Sequence, residues 1–139
     1  LPARCALTPH SGELGRLMGC TTEEVERDRF AAVRKASSDF GHAVLLKGSK
    51  TLIANMGLPT AVNPTGNSGL ATGGSGDVLG GIAATLLSHG MAPYDALACS
   101  AYWHGAAADI CAELIGPIGY SPSEVADKLP RSRAIICGS

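Results

Sequence analysis

Aromatic side chains are scarce in this chain, with one Trp, three Tyr and two Phe among 139 residues, and the composition is dominated by alanine, glycine and leucine. Charge of one sign is missing too: 11 Lys and Arg stand against 12 Asp and Glu, for a net charge of −1. There is no basic stripe to neutralise a phosphodiester backbone, which argues against a DNA or RNA partner. No apolar run reaches the roughly 18 residues needed to span a bilayer, and no signal-peptide pattern is present, so no membrane partner is expected. The five cysteines (Cys5, Cys20, Cys99, Cys111, Cys137) are odd in number and lack CxxC or metal-ligand spacing. They read as small buried hydrophobes of a reducing, cytoplasmic or organellar, compartment, with no protein metal site. An initiator methionine is also missing, and Leu1 to Thr8 reads as a chain already entering a strand. The expectation is a piece of a longer protein, at most one domain in size.

What is present is concentrated in Gly69-Leu70-Ala71-Thr72-Gly73-Gly74-Ser75-Gly76-Asp77-Val78. Glycine lets the backbone turn its N–H groups toward a ligand and approach it closely. The start of the following helix adds unpaired donors and a partial positive charge, which suits phosphate. An aspartate there repels an anion and makes better sense as a base acting on a hydroxyl beside the phosphate. The loop is neither a Walker A sequence nor a dinucleotide fingerprint. The alternative is a tight strand-to-helix turn with Asp77 as N-cap.

The rest of the pattern predicts alternating short strands and helices. A strand over Arg4 to Leu7 ends at Thr8-Pro9, and a helix over Ser11 to Met18 stops at Gly19. Thr21-Thr22-Glu23-Glu24 fits a capping box opening a helix to about Ser37, expected on the surface because Val25, Phe30 and Val33 follow helical spacing only loosely. His42 to Leu46, Thr51 to Ala54 and Thr60 to Val62 read as strands, the first buried on both faces. Gly76 to Ser88 and Pro93 to Ile115 read as helices. On the second, Asp95, Asp109 and Glu113 are expected to form a solvated stripe, opposite a His104 that reads as a hydrogen-bonded core residue. Ser121-Pro122 opens a helix to Leu129, and residues 130–139 have no assignment. Strands then helices give an α/β layered fold, a central sheet flanked by helices, with too few strands for a whole domain.

Four motifs in order, Thr8-Pro9-His10-Ser11-Gly12-Glu13, Leu46-Lys47-Gly48-Ser49-Lys50-Thr51, Asn63-Pro64-Thr65-Gly66-Asn67 leading to Gly73-Gly74-Ser75-Gly76-Asp77, and His104-Gly105-Ala106-Ala107-Ala108-Asp109, resemble the ribokinase-like superfamily. Within it the chain is similar to the ATP- or ADP-dependent NAD(P)H-hydrate dehydratases; related vitamin-precursor kinases usually carry Thr-Pro-Asn where this chain has Thr-Pro-His. The resemblance implies that residues 1–139 are the C-terminal part of one such domain. It also implies repair of hydrated NADH or NADPH at the expense of a nucleotide, with Mg²⁺ on its phosphates. Asp77 maps onto the base, the amides of Gly74, Ser75 and Gly76 onto the anion hole, and Lys47, Gly48, Ser49, Lys50, Thr51 and Gly76 onto nucleotide-binding positions. His10 and Asp77 map onto substrate-binding positions. Taken by themselves, His10 also suits a helix cap, Glu13 a helix-start charge and Lys47 an exposed turn. Family members are longer and tend to form homo-oligomers, so the isolated chain is expected to bind nucleotide weakly and be inactive. Two other readings are a small-molecule kinase of the same fold and a nucleotide-binding remnant.

Overall fold

A computed structural model describes residues 5–138, and the chain in it divides into two units. The first runs up to Asn63 and takes in Gly90–Ala98; the second comprises Pro64–His89 and the chain from Cys99 onward. Arg4, expected in the first strand, lies outside the described residues.

The first unit holds a four-stranded mixed sheet in the order β1-β2-β3-β4. Strand β1 (Ala6–Leu7) pairs parallel with β2 (Ala43–Leu46), and β3 (Leu52–Ala54) and β4 (Ala61–Val62) follow antiparallel. A parallel pair needs a long crossover. Here it is supplied by α1 (Ser11–Met18), α2 (Thr22–Arg27) and α3 (Arg29–Phe40). Every residue of β2 is buried, as its unbroken apolar run requires. Helix α1 ends at Gly19, whose φ of 69° is the left-handed cap conformation.

The single helix expected from Thr22 to Ser37 is two helices. The capping box at Thr21 and Glu24 is present, but Asp28 leaves helical geometry (φ −148°, ψ 84°) and its carboxylate caps Ala31 N at 2.9 Å. Nor does α3 lie on the surface. Val33 and Ala36 are fully buried in one cluster with Leu14, Val25, Val44, Leu46, Leu52 and Ala54, while Phe30 is exposed. The loose periodicity arose because Val25 and Phe30 sit on different helices. Each fully buried Leu or Val here contributes about 1.5–3 kcal/mol.

In the second unit a single 3-10 turn (Ser68–Leu70) precedes α4 (Ser75–Ser88). Helix α5 (Pro93–Leu114) starts in the first unit and continues in the second, and α6 (Pro122–Cys137) follows. Ser121 caps α6 with Pro122 at its first position, but the helix runs on past Leu129 to Cys137. Pro130 costs it one backbone hydrogen bond. Beside the proline, Trp103 Nε1 and Ser132 Oγ both donate to Leu129 O, at 2.9 and 3.0 Å. Ala107, Ala108, Cys111, Tyr120 and Val125 make a small core. Of the five free cysteines only Cys111 is buried; Cys99 and Cys137 are exposed, contrary to the expectation of a buried set. Among the described residues no helix is long and apolar enough to cross a membrane.

Candidate active site

In the first unit the site residues gather where β1 gives way to α1. Pro9 closes the strand, and His10 stays extended (φ −84°, ψ 172°) as the N-cap of α1. Its Nδ1 accepts from Gly12 N at 3.1 Å and Glu13 N at 3.2 Å, while Glu13 accepts from His10 N at 2.7 Å. The capping alternative is therefore what the structure displays. With Nδ1 accepting these two bonds, Nε2 is the ring nitrogen left to donate, and it lies 3.5 Å from Glu13 Oε1 with half of the side chain exposed. Glu13 is a helix-start charge with a partner. Its carboxyl is held below the ordinary range first by the His10 N–H and then by the Lys47 ammonium, whose Nζ is 3.3 Å away.

Lys47 follows β2 directly and its N–H donates to Pro9 O at 2.9 Å, so the lysine is tied to the α1 start at both backbone and side chain. Gly48, Ser49 and Lys50 form an exposed turn, and Thr51 Oγ1 reaches back to Gly48 O at 3.4 Å. Sequence reasoning missed Arg29, whose guanidinium lies against the carbonyls of this turn. Its position at the start of α3 gives no local signal.

The second unit carries the glycine-rich turn. Gly74, not Asp77, is the N-cap of α4, with φ 90°, a conformation that favours glycine. Asp77 is the third residue of the helix and its side chain is exposed. The Ser75 N–H is used on Thr72 O at 3.3 Å, and Asp77 N reaches Gly74 O at 3.1 Å. Among the described residues the Gly74 and Gly76 N–H groups have no acceptor, which leaves two amides of the three expected for an anion.

On α5, Asp109 corrects the expectation of a solvated stripe. Its two carboxylate oxygens accept from Gly66 N at 3.0 Å and Asn67 Nδ2 at 2.9 Å. Asn67 Oδ1 in turn accepts from Gly69 N at 3.0 Å and from the Tyr120 hydroxyl. The loop packs so closely that a Cβ on Gly105 would lie 2.2 Å from Thr65 Oγ1 and 2.8 Å from Gly66 N. At an open helical site Gly→Ala gains up to about 1 kcal/mol. Here Gly105→Ala should instead cost about 1–3 kcal/mol, because loop backbone occupies the space, and urea denaturation will read the sign. His104 is 5% exposed, and its Nε2 is buried without a hydrogen-bond partner. It is buried as expected but not hydrogen-bonded as expected: helix packing buries the ring, and Nε2 finds no partner there.

Residues 2–131 match the sequence profile of the Carb_kinase family, described as NAD(P)H-hydrate dehydratase. The ADP-dependent (S)-NAD(P)H-hydrate dehydratase of Neisseria meningitidis is 52% identical over 110 residues, 79% of this chain and 37% of that one. A bifunctional NAD(P)H-hydrate repair enzyme of Moorella thermoacetica is 44% identical over 124 residues, covering 89% of this chain and 23% of the relative. Among solved structures, the Bacillus subtilis ADP/ATP-dependent NAD(P)H-hydrate dehydratase co-crystallised with ATP/Mg²⁺ superimposes with a TM-score of 0.88 at 32% identity, over 94% of this chain and 47% of that chain. The chain thus spans under half the length of these relatives, in the ribokinase-like fold they share. By motif order, profile and fold, the chain belongs to the NAD(P)H-hydrate dehydratase family.

Proposed function

We propose that this chain is the C-terminal part of a ribokinase-like domain that returns hydrated NADH or NADPH to its reduced, unhydrated form while consuming a nucleotide. The carrying observation is the start of α4, where an exposed carboxylate stands beside two amides without acceptors. In this reading Asp77 takes the proton of the hydrate's hydroxyl as that oxygen attacks the terminal phosphorus of ATP or ADP and the bridging P–O bond breaks, releasing ADP or AMP. The Gly74 and Gly76 amides receive the developing negative charge on the phosphoryl oxygens, with the buried Ser75 holding the turn between them. Release of inorganic phosphate then breaks the carbon–oxygen bond, and loss of the neighbouring proton restores the ring double bond.

Lys47 to Thr51 are assigned to the nucleotide, Lys47 as a charge for its phosphates, and His10 Nε2–H to the substrate as a donor. Mg²⁺ would arrive on the nucleotide, which demands few protein ligands.

The full-length protein, incubated with hydrated NADH, Mg²⁺ and ATP or ADP, should recover the near-ultraviolet absorbance of NADH only when nucleotide is present. A stable phosphorylated compound in place of NADH would identify a kinase instead. In the same assay Lys47→Ala should raise the nucleotide KM about tenfold, as expected for one charge-assisted contact.

A further inference from the structure

The geometry points to Arg29 as the positioning residue that sets the Lys47–Thr51 turn for anion binding; this inference rests on the assignment of that turn to the nucleotide. Arg29 Nη2 donates to the carbonyl oxygens of Leu46 (3.4 Å), Lys47 (3.2 Å) and Lys50 (3.2 Å). Its Nη1 is held by Glu26 Oε1 at 2.7 Å and Ser11 Oγ at 3.1 Å, and Ser11 also donates to Glu26. The guanidinium is thereby fixed from both ends, with 17% of its side chain exposed.

Peptide geometry turns this into a statement about the amides. In a trans peptide the C=O of one residue and the N–H of the next point in opposite directions. No described peptide is cis. Drawing the carbonyls of Leu46, Lys47 and Lys50 toward one guanidinium therefore turns the N–H groups of Lys47, Gly48 and Thr51 the other way. The first of these meets Pro9 O. Those of Gly48 and Thr51 have no acceptor among the described residues, which makes them a donor pair in the turn that Lys47 opens. A planar guanidinium can serve several carbonyls at fixed angles, whereas an ammonium is a single point of charge.

Gly48 fits the same account. A Cβ there would lie 2.5–2.8 Å from the Arg29 guanidinium, with no other atom so near. Gly48→Ala would displace Arg29 from the carbonyls, reproducing its loss from the loop side.

The test uses the full-length protein, with nucleotide affinity measured by calorimetry and amide hydrogen exchange of residues 47–51 followed without nucleotide. Arg29→Gln should weaken ATP or ADP binding about tenfold. It should also speed exchange within the turn, while the KM for hydrated NADH moves less than about twofold. Arg29→Lys should recover only part of the affinity. Gly48→Ala should weaken binding in the parent and add little in the Arg29→Gln background, a non-additivity that global destabilisation does not produce. If Arg29→Gln does not fold, Arg29→Lys and Gly48→Ala carry the comparison. Parent-like affinity in the Arg29 and Gly48 variants, with Lys47→Ala weakened, would overturn the role of Arg29 and leave the nucleotide assignment standing. Parent-like affinity in Lys47→Ala as well would remove that assignment itself.

Discussion

Asp77→Asn is expected to lower nucleotide-dependent recovery of NADH from its hydrate by about three orders of magnitude, the span typical of a lost general base. Asparagine keeps the size of the side chain and removes only its ability to take a proton. The position tolerates the change structurally, because Asp77 is exposed and Gly74 holds the N-cap. Its carboxylate makes no side-chain hydrogen bond that caps α4. Nucleotide affinity should hold or improve, since a negative charge leaves the neighbourhood of the phosphates. The pattern to look for in steady-state kinetics is a collapsed kcat with an unchanged or lower nucleotide KM. Retention of more than about a tenth of the parent rate would exclude Asp77 as the base.

Acid should destabilise this protein in part through His104. Burial pushes its pKa from 6.5 down to about 4, because the charged ring would lie inside the helix packing without water. The fold therefore favours the neutral imidazole. Its contribution is complete above pH 6.5, where folded and unfolded states are both neutral, and is lost as pH falls toward 4, where the unfolded chain binds a proton that the folded one resists. The pKa difference corresponds to roughly 3 kcal/mol over that window. Denaturation midpoints of the parent and of His104→Leu, followed from pH 7 to pH 4, isolate this term from the carboxylates. The gap between the two curves should shift in favour of the variant by that amount. Parallel curves would show that the imidazole titrates freely in the folded protein. His104→Leu also removes the unsatisfied Nε2, so its relative standing at pH 7 reports on that atom separately.

Sequence patterning located most elements because the signals were local. The Gly19 stop, the capping boxes at Thr21 and Ser121, and the fully apolar β2 each depend on a few neighbouring residues. Failures came where distant chain decides. Asp28 is a cap without the glutamate that makes a box conspicuous, so two helices read as one. Pro130 normally signals a stop, yet α6 runs on to Cys137, packed beside the proline by a distant residue, Trp103, whose Nε1 donates to Leu129 O. Asp109 reads as surface by helical phase, and its role emerges only from the loop around Gly66 and Asn67. The site divides in the same way. Asp77 and the Lys47 turn are legible as motifs, and His10 reads both as a substrate position and as a cap, of which the structure displays the cap. Arg29 reaches the turn, and Tyr120 reaches Asn67, through tertiary contacts that no local pattern marks.

The mixed sheet has a kinetic corollary. β2, the Lys47 turn and β3 are consecutive in the chain, and Leu46 pairs with Leu52 across a short hairpin. The parallel pairing of Ala6 with Ala43 must instead close a segment containing three helices. Loop-closure entropy favours the hairpin, and non-local pairings of the second kind form slowly. During folding, then, the turn can exist as a bare hairpin before Pro9, His10 and Glu13 arrive to anchor Lys47, so the earliest form of this half-site is a turn without its tether.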